Sequence, residues 1–132
     1  ANQIIIEDLE KLVEEFPKIS TGEKSILTLE EVSEGIFKIL INGFDDTIGN
    51  IIQSYISTHM ISDTSPLSIC GYQKKHPLED IIIFTISLNR NNNVFQLNKP
   101  QQVVTIVEEL NNVCNSLIQI FSIIKGEADN KL

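Results

Sequence analysis

Residues 100–126 read PQQVVTIVEELNNVCNSLIQIFSIIKG, and their spacing decides the fold. Val103, Val107, Leu110, Cys114, Leu117, Phe121 and Ile124 step by four and three, and Ile106, Val113 and Ile120 run alongside. Such a stripe predicts a helix of about 24 residues, about 36 Å long, ending near Gly126. Three or four strands of about five to eight residues span less than that. One face can therefore cover a sheet while the remainder meets another helix, most simply a partner's. Burial wholly within its own domain is the alternative reading of the same stripe.

Working back along the chain, Ile81–Leu88 is almost continuously apolar, as suits a strand that is central or covered on both faces. Leu67–Tyr72 predicts a strand before it, separated by the turn-like Gln73-Lys74-Lys75-His76-Pro77. Ile36–Asn42 alternates, with Phe37, Ile39 and Ile41 uniformly apolar on one side. Gly43-Phe44-Asp45-Asp46 breaks that strand, and Asp45 or Asp46 caps a helix carrying Ile48, Ile51, Ile52, Tyr55 and Ile56. Residues 25–34 read as a short strand, Ser25–Leu29, followed by an acidic turn. Ile5, Leu9, Leu12, Val13 and Phe16 predict an acidic amphipathic helix ended by Pro17. Val94–Leu97 reads as a short extended piece. The order α-β-α-β-β-α predicts an α+β fold, a small antiparallel sheet packed on two helices with a long C-terminal helix.

The chain has 132 residues, ten Lys and Arg against eighteen Asp and Glu, and a net charge of -8. That length suits one domain, and the 42% apolar content suits a globular core. The acidic balance argues against a large phosphate-binding face and favours a protein partner. No apolar run approaches the roughly 20 residues that span a bilayer, and no leader pattern opens the chain, so neither membrane insertion nor secretion is expected. Two cysteines form no disulfide framework and suggest a reducing compartment. Abundant isoleucine and the run Asn91-Asn92-Asn93 fit an AT-biased genome. Met60 is the sole methionine, so Ala1 fits either initiator removal or a piece of a longer chain.

Catalytic constellations are weak. Cys70 and His76 are six apart with no third orienting group, and Cys70, His59, His76 and Cys114 match no zinc spacing. Asp45-Asp46 and Glu108-Glu109 read as a cap and a solvated face, Cys114 as a small core residue, and the glycines form no phosphate cradle. No catalytic residue, metal or cofactor is expected.

Two motifs ask for more. Asp46-Thr47-Ile48-Gly49-Asn50 places glycine in a helix's first turn, at a cost of up to about 1 kcal/mol relative to alanine, which implies close approach by a strand or partner. Cys70-Gly71-Tyr72 before His76-Pro77 places glycine inside a strand, which predicts a bulge or close approach. Together, Asp46, Thr47, Gly49, Asn50, Gly71, Tyr72, His76 and Pro77 resemble the motif of the small alpha-like dimerisation subunits of cellular RNA polymerases. That family includes archaeal subunit L, its counterpart in RNA polymerase II, the subunit shared by polymerases I and III, and relatives in the bacterial alpha N-terminal domain. The resemblance covers roughly residues 34–125, and Glu109-Leu110-Asn111-Asn112-Val113-Cys114 looks most similar to the subunit shared by I and III. Asp46 stands where the family usually has His, Ile48 where it has Leu, and Thr85 where Arg is common; the helix at 4–16 has no obvious family counterpart. A divergent viral or plasmid-encoded version, or a segment of a fused subunit, fits these departures.

The resemblance implies a non-catalytic assembly subunit of DNA-directed RNA polymerase, heterodimerising with a larger alpha-like subunit to dock the two largest subunits, and meeting DNA only through the complex. The implied organisation is an acidic helix and linker at 1–33, a dimerisation domain at 34–126 and a tail at 127–132. The expected dimer face is Ile48, Ile51, Ile52 and Tyr55 with Val107, Leu110, Cys114, Leu117 and Phe121, while Gly71, Tyr72, His76 and Pro77 shape a sheet edge and turn facing the large subunits. Location follows the source: nucleus in a eukaryotic cell, cytoplasmic factory or virion for a virus. The alternative is a homodimeric α+β adaptor outside transcription, joined through its C-terminal helix.

Overall fold

Phe37, Ile39 and Ile41 have no solvent exposure, and the alternation that puts them on one side of their strand organises the molecule. The computed structural model describes residues 2–75 and 77–130; His76 lies outside them. Four strands, β1 (Leu27–Ser33), β2 (Ile36–Asn42), β3 (Leu67–Lys74) and β4 (Ile81–Leu88), form one antiparallel sheet in the order β1-β2-β4-β3. Three helices, α1 (Asn2–Thr21), α2 (Asp46–His59) and α3 (Lys99–Asn130), cover one face of it. The α+β architecture with a long final helix is as expected.

Register aligns the inward residues of successive strands. Leu27 faces Ile41, which faces Ile82; Ile39 faces Phe84, which faces Tyr72; Phe37 faces Ile86, which faces Cys70. Onto this surface α2 packs beside β3 and α1 beside β1, with α3 touching both helices. The central position of β4 explains its apolar run. Its outer-face residues Ile81, Thr85 and Ser87 are half-buried, and Ile83 is closed off between Leu40 and Gln73.

Local chemistry shifts several expected boundaries. Pro17 does not end α1, which runs to Thr21 because Ile19 still packs on the core; Ser20 Oγ donates to the Pro17 carbonyl and Thr21 Oγ1 to that of Lys18. The helix stops at Gly22, whose φ of 76° lets the Glu23 N–H reach the Lys18 carbonyl at 3.1 Å. β1 starts and ends later than expected, since pairing with β2 satisfies its acidic second half. Residues 93–96 form a 3-10 turn rather than an extended piece, capped by Asn92 Oδ1 accepting from the Val94 N–H. α3 passes through Gly126 to Asn130, 32 residues instead of about 24. The irregularity in β3 falls between Leu67 and Ile69, not at Gly71, which pairs regularly with Thr85 and has open space above it.

Candidate interaction surface

Asp45 builds the start of α2: its Oδ1 accepts the Thr47 N–H at 3.0 Å, leaving Asp46, Thr47 and Asn50 exposed around the first turn. Ile48, Gly49, Ile52 and Ile56 point inward. Gly49 is favoured for a steric reason, because a Cβ there would lie 2.6 Å from Cδ2 and 2.7 Å from Cε2 of Tyr72 and the ring would have to shift. The Tyr72 ring is held in turn by Phe84, centroid to centroid 6.2 Å. The two sequence motifs thus meet at Gly49 and Tyr72, and the approaching element is β3. Pro77 lies exposed in the turn that follows β3.

The nine residues of the expected dimer face divide. Ile51, Tyr55 and Phe121 are half-buried, but Ile48, Ile52, Val107, Leu110, Cys114 and Leu117 are each at most 5% exposed. The expectation that all nine form a poorly covered face is corrected: six belong to the chain's own core. The physical reason is twofold: α2 packs on β3 and takes Ile48 and Ile52 inward, and α1 lays Leu9, Leu12 and Phe16 into the same cluster as α3 and closes a side that the sequence left open. Their periodicity was the available signal, but nothing in it named α3 as the helix they cover.

What remains open is the outer rim of α2 and the far half of α3. Asn50, Ile51, Ser54, Tyr55, Thr58, His59 and Leu117 line a groove of about 390 Å³, in which the His59 ring contacts Tyr55 at 4.7 Å with the two planes tilted by 46°. Beyond it α3 outruns the sheet, and Ile120, Ile123 and Ile124 are 41%, 62% and 44% exposed. Ile120, Phe121 and Ile124 continue the stripe of Val113 and Leu117, so the helix carries apolar surface beyond the sheet that is only partly covered.

The chemistry of this surface is apolar contact. Both cysteines are buried and outside any disulfide, and burial pushes each thiol up to about 12, far from a reactive thiolate. Burial also raises the Glu109 carboxyl above its ordinary range, with Glu108 adding to it. Among the described residues no cluster of His, Cys, Asp and Glu could hold a metal ion, and no helix is long and apolar enough to cross a membrane.

Comparison with known proteins converges on the same segment. The family model described as the RNA polymerase Rpb3/Rpb11 dimerisation domain matches residues 37–127, from β2 through most of α3. Two curated relatives are the probable DNA-directed RNA polymerases I and III subunit RPAC2 of Caenorhabditis elegans, 34% identical, and of Caenorhabditis briggsae, 32% identical. Each match runs over 83 residues, 63% of this chain and 46% of the relative, so the chain spans about half the length of the curated relatives it matches. With α2, β3 and β4 and nearly all of β2 and α3 inside the matched region, this chain belongs to the RNA polymerase Rpb3/Rpb11 dimerisation domain family.

Proposed function

We propose that this chain is a non-catalytic assembly subunit of a multisubunit DNA-directed RNA polymerase, pairing with a larger alpha-like subunit so that the pair docks the two largest subunits. The observation that carries the reading is the apolar surface running from Ile51 and Tyr55 on α2 to Ile120, Phe121 and Ile124 on α3, within the segment matched to a dimerisation domain. Two helices presenting such a face, met by two more from a partner, close into a bundle-like interface of the obligate kind, which typically buries about 2,000 Å² or more. Residues 34–126 act as the dimerisation unit in this reading. The turn after β3, with Pro77, faces the large subunits, and DNA is met only through the complex. The compartment is that of the polymerase: the nucleus in a eukaryotic cell, the factory or virion in a virus.

The test is affinity purification of the tagged chain from its native source, with mass spectrometry of what comes along. Recovery of a larger alpha-like subunit together with two giant polymerase subunits is the expected result. Recovery of the tagged chain alone, as a homodimer, would overturn the assignment.

A further inference from the structure

Helix α1 lies antiparallel along α3: Gln3 at its start hydrogen-bonds Lys125, and Lys18 and Ile19 near its end share a cleft with Val103. Leu9, Leu12 and Phe16 are at most 1% exposed in that seat. The seat is nevertheless badly matched in polar terms. Asn111 Oδ1 is buried without a hydrogen-bond partner. On a helix turning about 100° per residue, Asn111 lies about 120° round from Leu117, which faces α2, and on the same side as Lys125, which reaches α1. A buried carbonyl left unpaired is destabilising, and on this side of α3 the cover is α1, which offers it no donor.

A second mismatch lies at the start of α2, where Asp8 of α1 and Asp45 line one cleft with Ile4, Ile5, Thr47 and Ile48. Burial raises the Asp8 carboxyl, Lys11 partly opposes it, and the like charges of Asp45 and Glu7 add smaller upward effects. Helix α1 lies wholly outside the matched segment of residues 37–127. Its only covalent tie to the sheet is the exposed stretch Gly22-Glu23-Lys24 and the two residues after it, before β1 begins.

We propose that α1 is an exchangeable cover on α3, and that an amphipathic helix of the dimerisation partner takes its seat, running antiparallel to α3 and bringing a side-chain donor to Asn111. The partner surface then extends from the open rim, Ile120 to Ile124, inward along the seam that α1 now fills. This inference rests on the assembly reading and adds to it an order of events: α1 swings out about Gly22 before the interface closes. Because only the uncovered form binds, apparent affinity scales with the fraction of chains in which α1 is open.

Two full-length variants test this against the larger subunit of the same polymerase, purified separately. In the first, Gln3→Cys with Lys125→Cys is bridged by a short bis-maleimide, and the control carries a monofunctional maleimide on each thiol; the buried native cysteines do not compete. With one end bridged and the other tied to β1, α1 cannot leave, and the bridged form is expected to bind at least about tenfold more weakly than the control. In the second, Leu12→Ala loosens α1 and is expected to tighten binding while lowering the melting temperature, the reverse of what loss of an ordinary core contact does. Equal affinity of bridged and control forms would overturn the exchange and leave the assembly reading standing. Failure of the control itself to bind would overturn both.

Discussion

Replacing Gly49 by alanine sets two effects against each other. Alanine in a helix is favoured by roughly 0.5–1 kcal/mol over glycine, but here the added methyl would overlap the Tyr72 ring at 2.6 Å. Overpacking of this kind costs about 1–3 kcal/mol, and Tyr72, in contact with Phe84 across the strands, must shift to relieve it. The expected outcome of Gly49→Ala is a net loss of about 1–2 kcal/mol in urea denaturation. In a Tyr72→Ala background the same change becomes neutral or stabilising, and that reversal separates a steric glycine from one needed for backbone freedom. Asp8 gives a residue-scale prediction of a different kind. Its carboxyl is raised from 3.8 in the folded chain, chiefly by burial. A group that holds its proton more tightly when folded stabilises the fold below its unfolded value and loses that contribution as pH rises through the folded one. Glu109, raised in the same direction, adds to the slope. Asp8→Asn is therefore expected to match the wild-type melting temperature near about pH 3 and to exceed it at about pH 7. A difference that stayed constant with pH would mean that Asp8 is not desolvated in its cleft.

At the scale of elements, α3 and α1 mark where sequence patterning succeeds and where it stops. The four-three stepping from Val103 to Ile124 sets a helix whatever surrounds it, and β2 and β4 were equally plain, because alternation and apolar runs follow from backbone geometry alone. Helix α1 was legible as amphipathic too, but amphipathicity says only that one side must be covered and not by what. Six of the nine predicted interface residues went into the core because their spacing was read correctly and the elements they face, the sheet, α1 and each other's helix, were not. Pro17 misled for a local reason, since one missing N–H and some strain are tolerated when the next turn still buries Ile19. Phe16 measures the strength of this unforeseen contact. With the ring 1% exposed, Phe16→Ala is expected to cost about 3–5 kcal/mol by chemical denaturation. A loss below about 1 kcal/mol would show that α1 is already detached in solution.

Seen as a whole, the molecule has one end with more apolar surface than its own elements can bury. Helix α3 is 32 residues long, whereas no strand of the sheet exceeds eight, so its far half outruns the sheet and has α1 beside it on one side only. Monomers rarely leave such an end uncovered without a partner to receive it. The partner face must therefore be tested with exposed residues, because Asp at Leu110 or Leu117 would place a charge in the core and unfold the chain. Ile120 and Ile124, 41% and 44% exposed, are suited to the purpose. A surface change away from buried features usually alters stability by no more than about 0.5 kcal/mol, so Ile120→Asp with Ile124→Asp is expected to leave the melting curve nearly unchanged. In the bound state the same two carboxylates would be desolvated without partners, and burying an unpaired charge in an interface commonly costs about 2 kcal/mol or more. The double variant should accordingly lose the larger subunit, and with it the two giant subunits, in affinity purification. Undiminished recovery of those subunits with a normally folded double variant would move the dimer face off the end of α3.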